Sequence, residues 1–342
     1  MKSKFSISQF LNKIVNNVNL TTWESELLMK EMLQGNLTQV QIAAILVALR
    51  MKGETHEEIL GFIKVMRKKM NKVKIGGLVI DTCGTGGDGS GTFNISTAAA
   101  LVAAGVGIKV AKHGNRSASS LCGSADVLEK LGVNIQLTPE QAEECLENVG
   151  ITFLFAPLYH PAMKYVVPVR KELGFRSVFN FLGPLLNPSG VKRQIIGVPN
   201  KEIAEKLAEV AKRLDYEHLL IVTSGDGLDE ISVSADTHIF ELKNKQVTNR
   251  RVTPESFGFK KALRNELRGG DASYNADIIC RILDGEKGPK RDVVVVNSAA
   301  ALYIAGKVKD ITEGIKLAEE SIDSGRAKKI LKNLINETQK YA

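Results

Sequence analysis

The segment Asp81-Thr-Cys-Gly-Thr-Gly-Gly-Asp-Gly-Ser-Gly-Thr-Phe-Asn-Ile-Ser-Thr97 sets five glycines, two aspartates and several hydroxyls between an apolar run and an alanine-rich stretch. Glycine tolerates positive φ and lets successive N–H groups turn inward, so a phosphate can be met by main chain with no side chain in the way. The helix expected over Ala98–Ala104 adds its positive end. Asp88, inside the glycine cluster, repels a bare phosphate and is better matched to a metal, a ribose hydroxyl or a backbone amide. The ligand that suits this combination is a metal-chelated diphosphate.

Gly84-Thr85-Gly86-Gly87-Asp88-Gly89 also spells the dinucleotide fingerprint G-x-G-x-x-G after an expected strand, Leu78–Ile80. Two features argue against that ligand. A dinucleotide loop passes almost directly into its helix, whereas Ser90–Thr97 intervenes here. The acid that takes a ribose hydroxyl about 20 residues later is missing, because the second expected strand, Ile108–Ala111, ends on Lys112-His113. A nucleoside-triphosphate P-loop is excluded by the absence of its lysine.

Two further segments carry chemistry. Lys112-His-Gly-Asn-Arg-Ser-Ala-Ser-Ser-Leu-Cys-Gly-Ser-Ala-Asp-Val-Leu-Glu-Lys-Leu-Gly132 combines fixed positive charge with small polar residues. In it Lys112 suits a phosphate as a point charge, and Ser124, heading a helix Ala125–Leu131, suits either a phosphate or a plain N-cap. Asp229 and Glu230 are adjacent hard oxygen donors after an expected strand, Leu219–Thr223, where α/β folds place ligands; solvated loop acids are the alternative. On the first segment, Gly84, Thr85, Gly86 and Gly87 supply backbone approach to a diphosphate, and Asp88, Asn94, Ser96 and Thr97 supply hydroxyl, amide or metal contacts.

The elements that must position these residues follow from patterning. Up to about residue 70 the sequence reads as helices, Ile7–Val15, Thr22–Gln34, Thr38–Lys52 and Thr55–Met70, with capping signals at Thr38 and Thr55 and stops at Gly35 and Gly53. From Gly76 onward short β-rich runs alternate with amphipathic helices, the pattern of an α/β domain with a mostly parallel sheet. Further strands are expected at Ile151–Phe155 and Gln194–Val198, with a hairpin of His238–Lys243 and Gln246–Arg251. Helices are expected at Pro139–Val149 and Lys201–Leu214, and Arg291–Ile304 reads as either strand or helix.

Composition bounds the partners. Lysine and arginine number 46 against 38 aspartates and glutamates, a formal +8 that suits an anionic substrate. The basic residues occur as scattered pairs such as Lys68-Lys69 and Arg250-Arg251 without interleaved aromatics, which argues against a nucleic-acid footprint. The four cysteines, Cys83, Cys122, Cys145 and Cys280, form no C-x-x-C, which argues against structural zinc and a disulfide framework and makes a reducing cytoplasm the expectation. No apolar run is long enough to span a bilayer.

Read together and in order, GTGGDG with its T-F-N-I-S-T continuation, KHGNR through GSADVLE, His160-Pro-Ala-Met, Val169-Arg-Lys-Glu-Leu-Gly174, Asn180-Phe-Leu-Gly-Pro-Leu-Leu-Asn-Pro188 and Asp226-Gly-Leu-Asp-Glu230 resemble the anthranilate phosphoribosyltransferases. The resemblance covers most of the chain. It implies transfer of the phosphoribosyl group of 5-phosphoribosyl 1-diphosphate (PRPP) to the amine of anthranilate, with magnesium as cofactor. It also implies a homodimer and a helical domain at residues 1–72, joined by helices from about 160–185, beside an α/β domain at 73–342. To the PRPP residues above it adds Thr92, Ile95, His113, Gly114, Asn115, Ser119 and Ser120, with Lys112 and Ser124 included. The anthranilate set it implies is Gly84, Asn115, His113, His160, Tyr165, Arg170 and Gly183, with Arg170 as the carboxylate fork. The metal set is Ser96, Asp229 and Glu230. An aniline nitrogen is unprotonated at neutral pH, so no dedicated base is needed, and His113 is a weak candidate for one. Leu121-Cys122 departs from the family pattern of a small polar or basic residue followed by serine. A pyrimidine nucleoside phosphorylase and a nucleic-acid-binding relative on the same fold are the alternatives.

Overall fold

A computed structural model describes residues 6–87, 89–117 and 121–342. They form two compact units, one running to Asn71 and taking in Tyr159–Leu186, the other comprising Lys72–Leu158 and Asn187–Ala342.

In the first unit the helices Ile7–Val15, Thr22–Leu33, Gln39–Lys52 and His56–Lys69 have the ends expected from sequence to within a residue. Three of them start at reciprocal capping boxes, Thr21 with Glu24, Thr38 with Gln41 and Thr55 with Glu58. Glu58 is fully buried and satisfied: it accepts from the Leu20 and Thr55 N–H groups and from Lys52 Nζ, each at 2.9 Å. Leu28, Met29, Ile42, Ile45, Leu46, Ile59 and Phe62 form the core between the helices.

The second unit is built on one seven-stranded sheet, in the order β3-β2-β1-β4-β5-β6-β7. The strands are β1 (Ile80–Gly84), β2 (Val110–Gly114), β3 (Ile151–Phe155), β4 (Arg193–Gly197), β5 (His218–Ser224), β6 (Thr237–Lys243) and β7 (Gln246–Val252). The first five are parallel, and β6 and β7 close the edge as an antiparallel hairpin. This is the mostly parallel α/β sheet that the alternation of elements implies.

Three expected elements are shifted, among them the second strand, which runs Val110–Gly114 and not Ile108–Ala111, and one ambiguity is resolved. The first strand is Ile80–Gly84, not Leu78–Ile80, because polar partners bury its polar residues. Asp81 is inaccessible, and its carboxylate accepts from Asn187 Nδ2 at 2.8 Å, Gln194 Nε2 at 2.9 Å and the His113 N–H at 3.3 Å. The helix after the glycine loop starts at Ile95, not Ala98, so the intervening segment is only Ser90–Asn94. The ambiguous valine-rich stretch is a helix, Pro289–Ile304, in which tertiary burial overrides the β-branched residues' preference. Its Ser298 hydroxyl reaches the Ala99 carbonyl of the Ile95–Gly105 helix at 3.4 Å. Among the described residues no helix is long and apolar enough to cross a membrane.

Candidate active site

The chain leaves β1 toward β2 and β3 on one side and returns on the other as β4 and β5, so the strand order reverses between β1 and β4. Ligands of open α/β sheets bind outside the carboxyl ends of the strands at such a switch point. The loops that follow β1, β2 and β5 all leave from that edge, and they are the three segments singled out by residue type.

Asp229 sits on the switch point. A Cβ on Gly84, the last residue of β1, would fall 2.2 Å from Asp229 Oδ2, and one on Gly197, the last of β4, would fall 1.6 Å from the Asp229 carbonyl oxygen. Glycine at both strand ends is therefore a condition for this loop to lie where it does. The Gly86 N–H donates to Asp229 Oδ2 at 3.1 Å, and Gly86 and Gly87 adopt φ of +65° and +64°, turning the loop back over the strand end. Glu230 is buried, and its carbonyl accepts from the Ser224 hydroxyl at 2.7 Å. Asp226 braces the loop from within, accepting from Ser232 Oγ at 2.9 Å and Ser234 Oγ at 2.5 Å.

Ser96, Asp229 and Glu230 offer hard oxygen donors, the chemistry that magnesium and other hard cations prefer. Among the described residues no group of three or more His, Cys, Asp or Glu side chains could hold a metal alone. Magnesium is usually bound through one or two carboxylates with phosphate oxygens and water. The donor set therefore fits a metal that arrives on a diphosphate, not a dedicated cage. Thr85 Oγ1, buried in the glycine loop without a hydrogen-bond partner among the described residues, is a further oxygen available to such a ligand.

Lys112, read from sequence as a point charge for phosphate, is committed inside the sheet. It is buried, with Nζ donating to the Thr82 carbonyl at 2.5 Å and to Ser96 Oγ at 3.2 Å. Burial pushes the Asp81 carboxyl up, and the charge of Lys112, with the hydrogen bonds from Asn187 and the His113 N–H, opposes that rise. Lys112 thus fixes the Ser96 hydroxyl and balances Asp81. Thr97 also faces inward, lining a small interior cavity with Lys112 and Thr152, and Ile95 is a core residue.

On the β2 side, His113 is buried and Asn115 is exposed just past Gly114. The reading of Ser124 as a helix N-cap does not hold. Gly123 occupies the cap of the Ser124–Lys130 helix, where the Asp126 carboxylate accepts its N–H at 2.8 Å and that of Ser117 at 3.1 Å. Asn94 donates from Nδ2 to the Cys122 carbonyl at 3.2 Å and accepts at Oδ1 from the Cys122 thiol at 3.4 Å. The departure from serine at residue 122 therefore leaves a donor in place, a weaker one whose pKa burial pushes up to about 11. Asp88, Ser119 and Ser120 lie outside the described residues.

Of the predicted anthranilate set, His160, Tyr165, Arg170 and Gly183 lie in the first unit and Gly84, His113 and Asn115 in the second. The Arg170 guanidinium lies 5.3 Å from the centre of the Phe179 ring, and burial lowers its pKa. It has no carboxylate partner among the described residues, so a partly desolvated fork is available for an anion. Burial takes His160 down to about 4 against the opposing effect of a hydrogen bond with the Leu186 backbone, which leaves its ring neutral at pH 7. The Tyr165 ring packs where a side chain at Gly35 would otherwise lie, and Gly183 faces open space. Ser177 Oγ, two residues before Phe179, is buried without a partner among the described residues.

The family model described as the glycosyl transferase family a/b domain matches residues 76–328, and the helical bundle domain of the same family matches 8–70. An anthranilate phosphoribosyltransferase of Dehalococcoides mccartyi is 49% identical over 338 residues, covering 98% of this chain and 99% of the relative. The chain belongs to the anthranilate phosphoribosyltransferase family. The crystal structure of the Thermus thermophilus anthranilate phosphoribosyltransferase superposes with a TM-score of 0.90 at 40% identity, covering 96% of this chain and 99% of that one. That of Saccharomyces cerevisiae, solved in complex with PRPP and Mg, gives 0.89 at 29% identity, covering 98% of each. Tyr159–Leu186, which packs with the helical unit, falls inside the span matched by the a/b model, so this family member completes its helical unit from a second stretch of chain.

Proposed function

We propose that the chain transfers the phosphoribosyl group of PRPP to the amine of anthranilate, releasing diphosphate, with magnesium as cofactor, as a cytoplasmic enzyme of tryptophan biosynthesis. The observation that carries this reading is Asp229 bonded to the glycine loop at the switch point, with Glu230 and Ser96 as further hard donors. The relatives named above support it, since they carry that activity in their names and the yeast enzyme binds PRPP and Mg.

Departure of diphosphate leaves an oxocarbenium-like sugar, so catalysis is mostly positioning and electrostatics. Gly84, Thr85, Gly86 and Gly87 give the diphosphate close approach to main chain, the Thr85 and Gly86 N–H groups themselves holding the loop on the Gly197 carbonyl at 2.8 Å and on Asp229 Oδ2 at 3.1 Å, with Thr92, Asn94, Ser96 and the turn after β2 around the rest of PRPP. Bound magnesium supplies neutralisation of the leaving charge. Arg170 holds the anthranilate carboxylate with two parallel hydrogen bonds, and neutral His160 keeps a second cation out of the pocket. No protein base is required, because the aniline nitrogen is already unprotonated.

A homodimer belongs to the same proposal. Val40, Val47 and Met51 recur along one face of the Gln39–Lys52 helix and are exposed, as is Trp23 on the preceding helix.

Incubation with anthranilate, PRPP and magnesium is expected to quench anthranilate fluorescence in step with diphosphate release. Folded protein that consumes neither substrate sinks the activity. Light scattering on the same preparation is expected to give twice the chain mass, and a monomer at tens of micromolar removes the dimer.

A further inference from the structure

The glycine loop is lined on its outer side by a segment with no signature of its own. Thr92 and Arg268 form an antiparallel bridge, and the Gly269 N–H donates to the Gly91 carbonyl at 2.9 Å. Because that bond joins the residues flanking the pair, Thr92 and Arg268 are a non-hydrogen-bonded pair, whose side chains share one face with Cβ atoms about 4.5–5.5 Å apart. The Thr92 hydroxyl lies 3.1 Å from that of Ser90, so this face carries hydroxyls of the loop. The two backbones touch, since a Cβ on Gly269 would fall 2.5 Å from the Phe93 nitrogen. Asn275, buried, holds the register: its Oδ1 accepts from the Gly270 N–H at 2.8 Å and its Nδ2 donates to Asn94 Oδ1 at 3.0 Å.

Charge gives this segment its role. PRPP is strongly anionic, while the acids of the site, Asp88, Asp229 and Glu230, are negative as well. The cations that the sequence pattern offers are already committed. Lys112 is buried on Thr82 and Ser96, and Arg116 pairs with Asp126 and Glu129. Arg268 is exposed beside Thr92 and has no carboxylate partner among the described residues. A guanidinium there presents a planar fork to a phosphate.

We infer that Arg268 is a phosphate-contacting residue of the PRPP site, held in register with the glycine loop by Asn275. The assignment rests on the PRPP reading of that loop. Calorimetric titration of magnesium–PRPP into protein without anthranilate tests it in wild type, Arg268→Gln and Arg268→Lys, alongside KM for both substrates. Arg268→Gln is expected to weaken PRPP binding and raise its KM by about tenfold or more, the size of a lost charged hydrogen bond. Lysine is expected to recover part of the loss, and the anthranilate KM to stay within about twofold, the two substrates having separate contacts. PRPP binding within about twofold of wild type in Arg268→Gln overturns the assignment and leaves the proposed function standing. An equal loss for both substrates also overturns it, as general damage. Wild-type protein that binds no PRPP removes the proposed function, and the assignment with it.

Discussion

Replacing Asp229 by asparagine together with Glu230 by glutamine is expected to lower kcat/KM for PRPP by roughly a hundredfold to a thousandfold, the range of losses when metal ligands or oxyanion-type stabilisers are removed. Size and shape are nearly unchanged, and the asparagine amide would retain an oxygen to accept the Gly86 N–H that Asp229 accepts at 3.1 Å. The loop therefore keeps its course over Gly84 and Gly197, and what is lost is the pair's negative charge. That separates the electrostatic role from the structural one. The expected signature is a magnesium titration displaced to higher concentration, with a melting temperature close to wild type. A normal magnesium titration contradicts the metal assignment, and a collapsed melting temperature identifies the pair as a structural brace.

How far the site could be read from sequence depended on whether its cause was local. Gly86 and Gly87 were legible because positive φ strongly selects glycine, and four such residues in one loop, Gly86, Gly87, Gly89 and Gly91, mark a backbone that has to turn repeatedly. Gly84 and Gly197 have ordinary φ, and glycine is needed there because Asp229, far along the chain, presses against both. The start of β1 was misplaced for a similar reason. Asp81 and Thr82 are polar, and a hydrophobic pattern cannot include them in a strand, yet Asn187 and Gln194 reach across to satisfy Asp81 in the interior. Lys112 reads as a phosphate ligand by type, but its depth in the sheet is set by the partners Thr82 and Ser96. Asn275 and Arg268 gave no signal, because a single bridge to the glycine loop leaves no periodicity in either segment. Helix ends in the first unit were the most legible, since a capping box is written within four residues.

Arg170→Ala is expected to raise the KM for anthranilate by roughly thirtyfold to a hundredfold, the cost of losing a charge-assisted pair in a partly desolvated site. The PRPP KM is expected to stay within about threefold, because uniform binding of one substrate is being removed. The guanidinium is already half-buried against Phe179, its pKa lowered by burial, and no acid of the described chain neutralises it. Burying an uncompensated charge is unfavourable, so the free protein carries a cost that an anionic ligand relieves. Truncation can also disturb the Phe179 contact, so the change in KM alone does not identify the carboxylate as the partner. Comparison with anthranilamide does, since it keeps the ring and the amine but has no charge to pair. Wild-type enzyme is expected to discriminate strongly against the amide. Arg170→Ala is expected to lose most of that discrimination, and Arg170→Lys to keep a part of it, having the charge without the fork. If Arg170→Ala still prefers the acid by the wild-type margin, another residue recognises the carboxylate, and Arg170 serves the fold of the helical unit through Phe179.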